Sequence, residues 1–344
     1  MNLSEKQSPT KGPLVVDIYR GTTVESSHLV DVVVMDSNGK IIETLGDSSR
    51  PTFPRSSIKM PQALALMESG AAEEFGLSQK WISLACASHQ GEKIHTEEVK
   101  RWLQKIGLSE SDFECGAHFP YDQETEHEMI RTGLSPSPLH NNCSGKHCGM
   151  LTTSKHYHEN HKGYSQYGHP VQVRLRKILG ELAGINYDKA PWGTDGCGIP
   201  TYAIPLDKLA LSLVPFLSES PQSRANSLRR EATVKILQAV QAEPEMISGT
   251  KGLCSRVIRV SQGRAFAKTG AEGVYVGLIP HQGVVMAVKV RDGGTRAAEL
   301  TALYLLEKYK GLTSEEVAEI SPLTTAILKN WAGEIVGRSQ VRSV

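Results

Sequence analysis

Apolar residues with the spacing of β-strands occur near both ends of the chain. Runs rich in Val and Ile alternate with polar positions, as strands with one buried face do. The first group predicts strands over 13–21, 28–36 and 40–46, with the two-residue turn Asn38-Gly39 before the last of them. The second group predicts strands over 266–270, 273–279 and 283–290.

The long stretch between these groups has the periodicity of helices, with apolar residues three and four positions apart. Helices are predicted over 59–70, 95–107, 144–155, 169–183, 206–217 and 222–242, and another over 295–311. The two strand groups must join one sheet, because each alone would leave open edges and an uncovered face.

We therefore predict an α/β (α+β) fold that forms one catalytic unit over residues 1–344. An antiparallel sheet is built from both chain ends, in a sheet subdomain of 13–58 plus 256–335, and is flanked by helices. Residues 59–255 form a mainly helical subdomain.

Charge and composition exclude several classes of partner. The 344 residues include 38 Lys and Arg against 37 Asp and Glu, a net charge of +1, so no basic surface for nucleic acid or an anionic membrane is expected. No apolar run approaches the ~18 residues of a membrane span. The first twelve residues are polar and lack the apolar core of a secretory signal, so we expect a cytoplasmic protein with its cysteines reduced.

Ser56 and Lys59 in the segment RSSIK lie three positions apart, on one face at the start of a predicted helix. A neutral lysine there could take the serine's proton, and the helix N-terminus could stabilise an oxyanion. An N-capping serine with a solvated lysine is the alternative. The later segment Lys268-Thr269-Gly270 favours the catalytic interpretation over the capping one. An S-x-x-K followed by a K-T-G is the signature of penicillin-recognising serine enzymes.

Ser88 in the segment CASH, residues 86–89, occupies the slot where such enzymes place a second active-site serine. The alternative is a buried serine bonded to backbone.

Cys143 and Cys197 lie in the glycine-rich segments NNCSGKHCGM and WGTDGCGIP. Thiolates are good zinc ligands, and either Lys146 or His147 could add a ligand from one helical turn beyond Cys143. Asp195 could ligate the metal or orient a ligand. Two core cysteines in unrelated loops are the alternative.

The segments RSSIKMPQAL, CASH, NNCSGKHCGM and WGTDGCGIP resemble the asparaginase II family of the rhizobial type, over about residues 13 to 335. The resemblance implies a fold similar to serine β-lactamases and glutaminases. It also implies hydrolysis of L-asparagine to L-aspartate and ammonia, a homodimer, and a zinc ion held by two cysteines and a lysine.

Residue by residue, the resemblance assigns two Ser-Lys pairs, Ser56 with Lys59 and Ser88 with Lys268. It makes Cys143, Lys146 and Cys197 the zinc ligands, and so chooses Lys146 over His147. Arg55 and Asp195 match residues beside the serine and the metal, where they would bind substrate. By analogy with the related fold, the N–H groups of Ser56 and Ala271 would hold the oxyanion. Met60 and Cys148 depart from the family pattern without removing a functional group.

We therefore expect an amidohydrolase acting on the linear amide of L-asparagine, with Ser56 as nucleophile and Lys59 as base. A penicillin-recognising peptidase or β-lactamase is the nearest rival. A catalytically silent zinc-binding sensor on the same fold is a rival of another class.

Overall fold

The computed structural model describes residues 12–217 and 226–343. Within these residues the strands are β1 (Leu14–Arg20), β2 (Thr23–Asp36), β3 (Ile41–Leu45), β4 (Pro51–Thr52), β5 (Trp192–Thr194), β6 (Pro200–Tyr202), β7 (Ile204–Pro205), β8 (Phe266–Gly270), β9 (Val274–Ile279), β10 (Val284–Val290), β11 (Ile327–Lys329) and β12 (Ile335–Ser343).

Eight of these strands form one antiparallel sheet, in the order β11-β12-β1-β2-β10-β9-β8, with β3 also paired to β2. The two chain ends meet where β2 pairs with β10, in a register that runs from Val30 opposite Val290 to Asp36 opposite Val284. Successive residues such as Val33 and Val34 point to opposite faces, and both are completely buried, so the centre of the sheet is covered on both sides. The predicted α+β fold with an antiparallel sheet is confirmed.

The described helices are α1 (Lys59–Glu68), α2 (Ala71–Glu74), α3 (Gln79–Ala85), α4 (Lys93–Lys105), α5 (Gln123–Arg131), α6 (Ser144–His156), α7 (Pro170–Ala183), α8 (Leu206–Leu211), α9 (Ser227–Ala242), α10 (Glu245–Ser248), α11 (Leu253–Val260), α12 (Thr295–Lys308) and α13 (Ser314–Ile320). None of them is long and apolar enough to span a membrane.

Some predicted boundaries differ from the structure. The helix predicted over 206–217 is the short α8 followed by a 3-10 turn, Val214–Phe216, with Pro215 in its first turn. Residues 222–225 of the helix predicted over 222–242, and residues 1–11, lie outside the described residues. The strand β12 extends to Ser343 and had no counterpart in the sequence prediction.

The turn between β2 and β3 is a three-residue loop, so the prediction of a two-residue turn was wrong. The N–H of Asp36 donates to the carbonyl of Lys40 at 2.9 Å, which leaves residues 37–39 as the loop. Gly39 adopts a φ of 77° there, and the Asp36 carboxylate accepts the N–H groups of Asn38 and Lys40 at 2.8 and 2.9 Å. These side-chain bonds and the left-handed glycine favour the longer loop.

Two short strand pairs position the segments around the functional residues. Pairing of β4 with β7 anchors the chain just before Arg55. Pairing of β5 with β6 closes a hairpin whose loop carries Asp195 and Cys197. The Ser56 turn and the loop that carries Asp195 and Cys197 are therefore both fixed near β8, the last strand of the sheet.

Candidate active site

A cavity of about 670 Å³ opens beside the end of β8. Its wall contains most of the side chains that the sequence predicts to be functional, namely Arg55, Ser56, Ser88, Cys143, Asp195, Cys197 and Ala271. The three predicted lysines lie behind this wall and are at most 5% exposed. A single cavity therefore gathers residues from both chain ends and from the helical part.

Ser56 lies on a 3-10 turn, Arg55–Ile58, that leads directly into α1. The Pro54 carbonyl fixes this turn by accepting both the N–H and the hydroxyl of Ser57, at 3.1 and 2.7 Å. Within the described residues the Ser56 hydroxyl has no hydrogen bond, and the residue is half-buried on the cavity wall. Its oxygen is free to meet a ligand near the N-terminus of α1.

Arg55, just before Ser56, has a φ of 51°, in the left-handed region that a residue with a side chain rarely adopts. Its guanidinium Nε donates to Asp195 Oδ1 at 2.7 Å across the cavity. Burial raises the pKa of Asp195, but the charges of Lys146 and Arg55 outweigh burial and lower it. The ion pair therefore ties the Ser56 turn to the loop that carries Cys197.

Ser88 lies between two lysines. Lys59 Nζ donates to Ser88 Oγ at 3.0 Å and to Cys143 Sγ at 3.1 Å, and it also contacts the carbonyl of Ala87. Lys268 Nζ lies 2.8 Å from the same Ser88 oxygen. The spacing in the sequence pairs Lys59 with Ser56, whereas in the structure both lysines meet at Ser88.

Burial lowers the pKa values of both lysines. It lowers the pKa of Lys268 to about 8, and the nearby positive charge of Lys59 adds to that effect. Burial also lowers the pKa of Lys59, assisted by the charge of Lys146. A neutral amine is therefore accessible at mildly alkaline pH, which a lysine needs if it is to accept a proton.

The two predicted thiol ligands lie side by side, with a hydrogen bond between Cys143 and Cys197. This bond and the charge of Lys146 lower the pKa of Cys197 to about 5, although burial opposes them, while the bond and burial raise the pKa of Cys143 to about 12. Lys146 Nζ lies 3.0 Å from Cys197 Sγ. Burial lowers the pKa of Lys146, but the two cysteines raise it overall. The Cys197 thiol therefore ionises more readily than a free cysteine.

His147, the alternative ligand, is engaged elsewhere. Its Nδ1 lies 2.7 Å from the hydroxyl of Tyr164, and burial lowers the pKa of its ring to about 3. Across residues 12–217 and 226–343, no three His, Cys, Asp or Glu side chains are grouped so that they could hold a metal ion. Lys146, with its Nζ 3.0 Å from Cys197 Sγ, could add a further ligand to a metal at the thiol pair.

Gly270 lets the end of β8 lie directly against the Ser56 turn. A methyl group added at this position would lie 2.6 Å from the Pro54 carbonyl oxygen and 3.3 Å from the Ser57 nitrogen. The glycine of the K-T-G motif is therefore required by the close approach of two backbones. Ala271, the next residue, reaches the cavity wall through this contact.

Sequence reasoning missed several residues of the cavity wall, among them Cys254, Tyr275 and Glu299. Tyr275 Oη lies 3.3 Å from Cys254 Sγ, which also accepts the N–H of Thr269 at 3.3 Å. One signal was available for Glu299. It precedes two buried residues, Ala302 and Leu303, by three and four positions, so a carboxyl group interrupts an apolar helix face.

The sequence model of the family described as L-asparaginase II matches residues 16–341. No curated protein matches the chain.

The chain is similar to several solved structures at low identity. One is the protein Mglu, with 12% identity and a TM-score of 0.46 over 83% of this chain and 68% of that one. In its native form Mglu is matched over 64% of its length, with a TM-score of 0.48. A class C β-lactamase mutant has 12% identity and a TM-score of 0.42 over 83% of this chain and 92% of its own. The D-alanine carboxypeptidase AmpC from Burkholderia cenocepacia has 12% identity and a TM-score of 0.38, over 79% and 90%. With TM-scores below 0.5, these structures transfer no residue role to this chain.

Proposed function

The chain belongs to the L-asparaginase II family, and on that premise we propose that it hydrolyses L-asparagine to L-aspartate and ammonia. The observation that carries the proposal is the meeting of two buried lysines at Ser88 Oγ, at 3.0 and 2.8 Å, behind a cavity that Ser56 also lines. Family membership supports an amidohydrolase, and a serine with neutral lysines is a means of cleaving an amide without an external base.

We assign the nucleophile to Ser56, whose hydroxyl makes no hydrogen bond within the described residues and opens to the cavity. Its oxygen attacks the side-chain amide carbon, and its proton passes through Ser88 to the pair of buried lysines, Lys59 and Lys268, that meet at Ser88 Oγ. The N–H groups of Ser56 and Ala271 hold the developing oxyanion. The C–N bond then breaks as the leaving nitrogen takes up a proton from the Ser88 and lysine group, so that it departs as ammonia, and water hydrolyses the ester.

The charges of Arg55 and Asp195 complement those of the α-carboxylate and α-ammonium groups of the substrate. L-Asparagine carries an α-carboxylate and an α-ammonium group at neutral pH, and the pair presents one group of each opposite charge at 2.7 Å. We assign Arg55 to the carboxylate and Asp195 to the ammonium. Bidentate recognition of a carboxylate is the contact for which a guanidinium is best suited.

We also propose that Cys143, Lys146 and Cys197 bind zinc. The donor set fits, because two buried thiols share a hydrogen bond, one of them ionises readily, and Lys146 lies in contact with it. Zinc binding requires Lys146 to be neutral, so metal and the Lys146 proton compete. Bound zinc would supply a Lewis acid that helps Arg55 to anchor the substrate's α-carboxylate. A homodimer is expected from the family resemblance alone.

Ammonia release measured with L-asparagine, L-glutamine and the β-lactam nitrocefin tests the proposed function. Purified wild-type chain should release ammonia from L-asparagine and leave nitrocefin intact. Nitrocefin turnover without ammonia release would identify a penicillin-recognising enzyme. Bound metal without turnover of any of the three would identify a zinc-binding sensor.

A further inference from the structure

The acidic residues of the cavity wall differ in whether they have a partner. Four of the five carboxylates have a partner. Asp195 and Glu124 form ion pairs, with Arg55 at 2.7 Å and Lys251 at 2.9 Å. Glu92 and Asp122 each accept a backbone N–H at 2.9 Å, from Thr250 and Thr125. The fifth, Glu299, has no hydrogen bond or ion pair among residues 12–217 and 226–343. Burial alone raises its pKa to about 7, and no neighbouring cation offsets that rise.

Glu299 lies on the far side of the edge strand β8 from the two serines. Lys268 points towards Ser88, so Thr269, the next residue, points to the opposite face. Thr269 is paired with Tyr275 on β9, and a methyl group at Gly277, on the same face as Tyr275, would meet Leu306 of α12 at 3.3 Å. Glu299 belongs to that helix, and its charge acts on Tyr275.

The cavity therefore passes over the free edge of β8. One end holds the serines and the other end holds Glu299, on opposite faces of β8, and the usual spacing between packed layers puts them on the order of 10 Å apart. The same wall carries apolar residues, Leu253, Cys254, Ala271 and Leu323. Cys254 lies beside the Glu299 end, because its Sγ contacts the Thr269 N–H and the Tyr275 hydroxyl at 3.3 Å each. Asparagine bound with its amide at the serines is too short to reach Glu299.

The direction in which a longer substrate would extend follows from the proposed function. The α-carboxylate and α-ammonium groups are assigned to Arg55 and Asp195, on the helical side of the cavity. A substituent on the amide nitrogen could then extend past the edge of β8 towards Glu299. A carboxyl group without a partner at the end of an apolar passage is suited to an ammonium group on an apolar tether.

We propose that the chain also hydrolyses N-substituted β-amides of L-aspartate whose substituent is an alkyl tether ending in an ammonium group, with Glu299 binding that ammonium. This rests on the proposed function. The serine oxygen bonds to the amide carbon, the C–N bond breaks, and a proton from the catalytic group converts the leaving nitrogen into a free amine. Water then hydrolyses the ester, so one amide and one water give L-aspartate and a diamine.

The test uses the full chain and three substrates at pH 8, above the raised pKa of about 7 at Glu299: L-asparagine, its N-butyl amide and its N-(4-aminobutyl) amide. In wild type, kcat/KM for the aminobutyl amide should exceed that for the butyl amide. The ratio should fall about tenfold in Glu299→Gln, the effect of losing one partly buried ion pair. Glu319→Gln, the same change on the exposed surface of α13, is the matched control and should keep the wild-type ratio.

An unchanged ratio in Glu299→Gln, or no turnover of either N-alkyl amide, would overturn the inference. If wild type releases ammonia from L-asparagine in that experiment, the proposed function stands without the extended site. If wild type releases none, the proposed function itself has failed. Melting curves of the two variants show whether either change has altered folding.

Discussion

The burial of Lys268 makes its amine available as a proton acceptor. Because its pKa is lowered to about 8, the neutral fraction rises as pH increases through that value. We expect kcat for L-asparagine to rise from about pH 6 to about pH 9 and then level off, as measured by ammonia release. Lys268→Arg should be inactive, because a guanidinium stays charged. A flat profile, or an active arginine variant, would contradict a lysine acceptor.

A single substitution can also test the role of the thiol pair, Cys143 and Cys197. Cys197→Ala should remove about one zinc ion per chain and raise KM, because it deletes the thiolate with the lowered pKa. Metal analysis of a reduced, untagged preparation measures the first effect, and steady-state kinetics the second.

The control is Cys148→Ala, which removes a buried thiol that contacts the carbonyl of Val99. That variant should keep its metal. A wild-type preparation that contains no zinc, combined with full activity in a Cys143→Ala/Cys197→Ala variant, would refute the metal site.

Contacts between elements determine how the two serines and the K-T-G strand are positioned. Gly270→Ala should push the end of β8 away from the Ser56 turn, since its methyl group would lie 2.6 Å from the Pro54 carbonyl. We expect kcat to fall at least tenfold, because misplacement by about 1 Å costs up to ~10²-fold. Gly168→Ala is the control, since its methyl group would meet nothing within 4 Å. Equal kcat values in the two variants would contradict this role for Gly270.

Asp31 joins three segments that lead to the site. Its fully buried carboxylate accepts hydrogen bonds from Arg291 at 2.7 Å, the Asp47 N–H at 2.9 Å and Arg50. Burial raises the pKa of Asp31, but these bonds outweigh burial and lower it. Its stabilising effect is therefore present above the unfolded pKa of ~3.9 and is lost as pH falls through the lower folded value.

Asp31→Ala should reduce the free energy of unfolding by about 3 kcal/mol, because two arginines lose a buried partner. Urea unfolding measures this loss. Glu25→Gln, which breaks an exposed pair with Arg20, should leave the free energy of unfolding close to the wild-type value, because solvent screens an exposed ion pair. Similar losses in the two variants would show that the Asp31 cluster does not stabilise the fold.

At the scale of the whole molecule, the central sheet could be predicted because its strands carry long apolar runs. The second half of β2, LVDVVVM, and the whole of β10, VVMAVKV, are rich in Val, and their pairing follows from the need to close a single sheet. In contrast, β12 has mostly exposed and half-buried positions, and it becomes a strand because β1 and β11 pair with it on either side. No local pattern distinguishes such a strand from a loop.

In the candidate site, too, some features follow from the sequence pattern and others depend on contacts made in the folded chain. The motifs brought Ser56, Ser88 and the two lysines to one place, because spacing along a helix or strand determines where a Cα lies. Spacing does not determine which neighbour a long side chain reaches, and Lys59 Nζ contacts Ser88 and Cys143. Glu299 belongs to no motif, and its role depends on a cavity that exists only in the folded chain.

The central claim is that Ser56 forms an ester with the substrate while Ser88 and the two lysines handle its proton. Rapid quenching of the wild-type chain with L-asparagine, followed by peptide mass mapping, tests that claim most directly. We predict an aspartyl adduct on the peptide that contains Ser56, an adduct absent in Ser56→Ala, and an unmodified Ser88. An adduct on Ser88, or continued ammonia release by Ser56→Ala, would contradict the account.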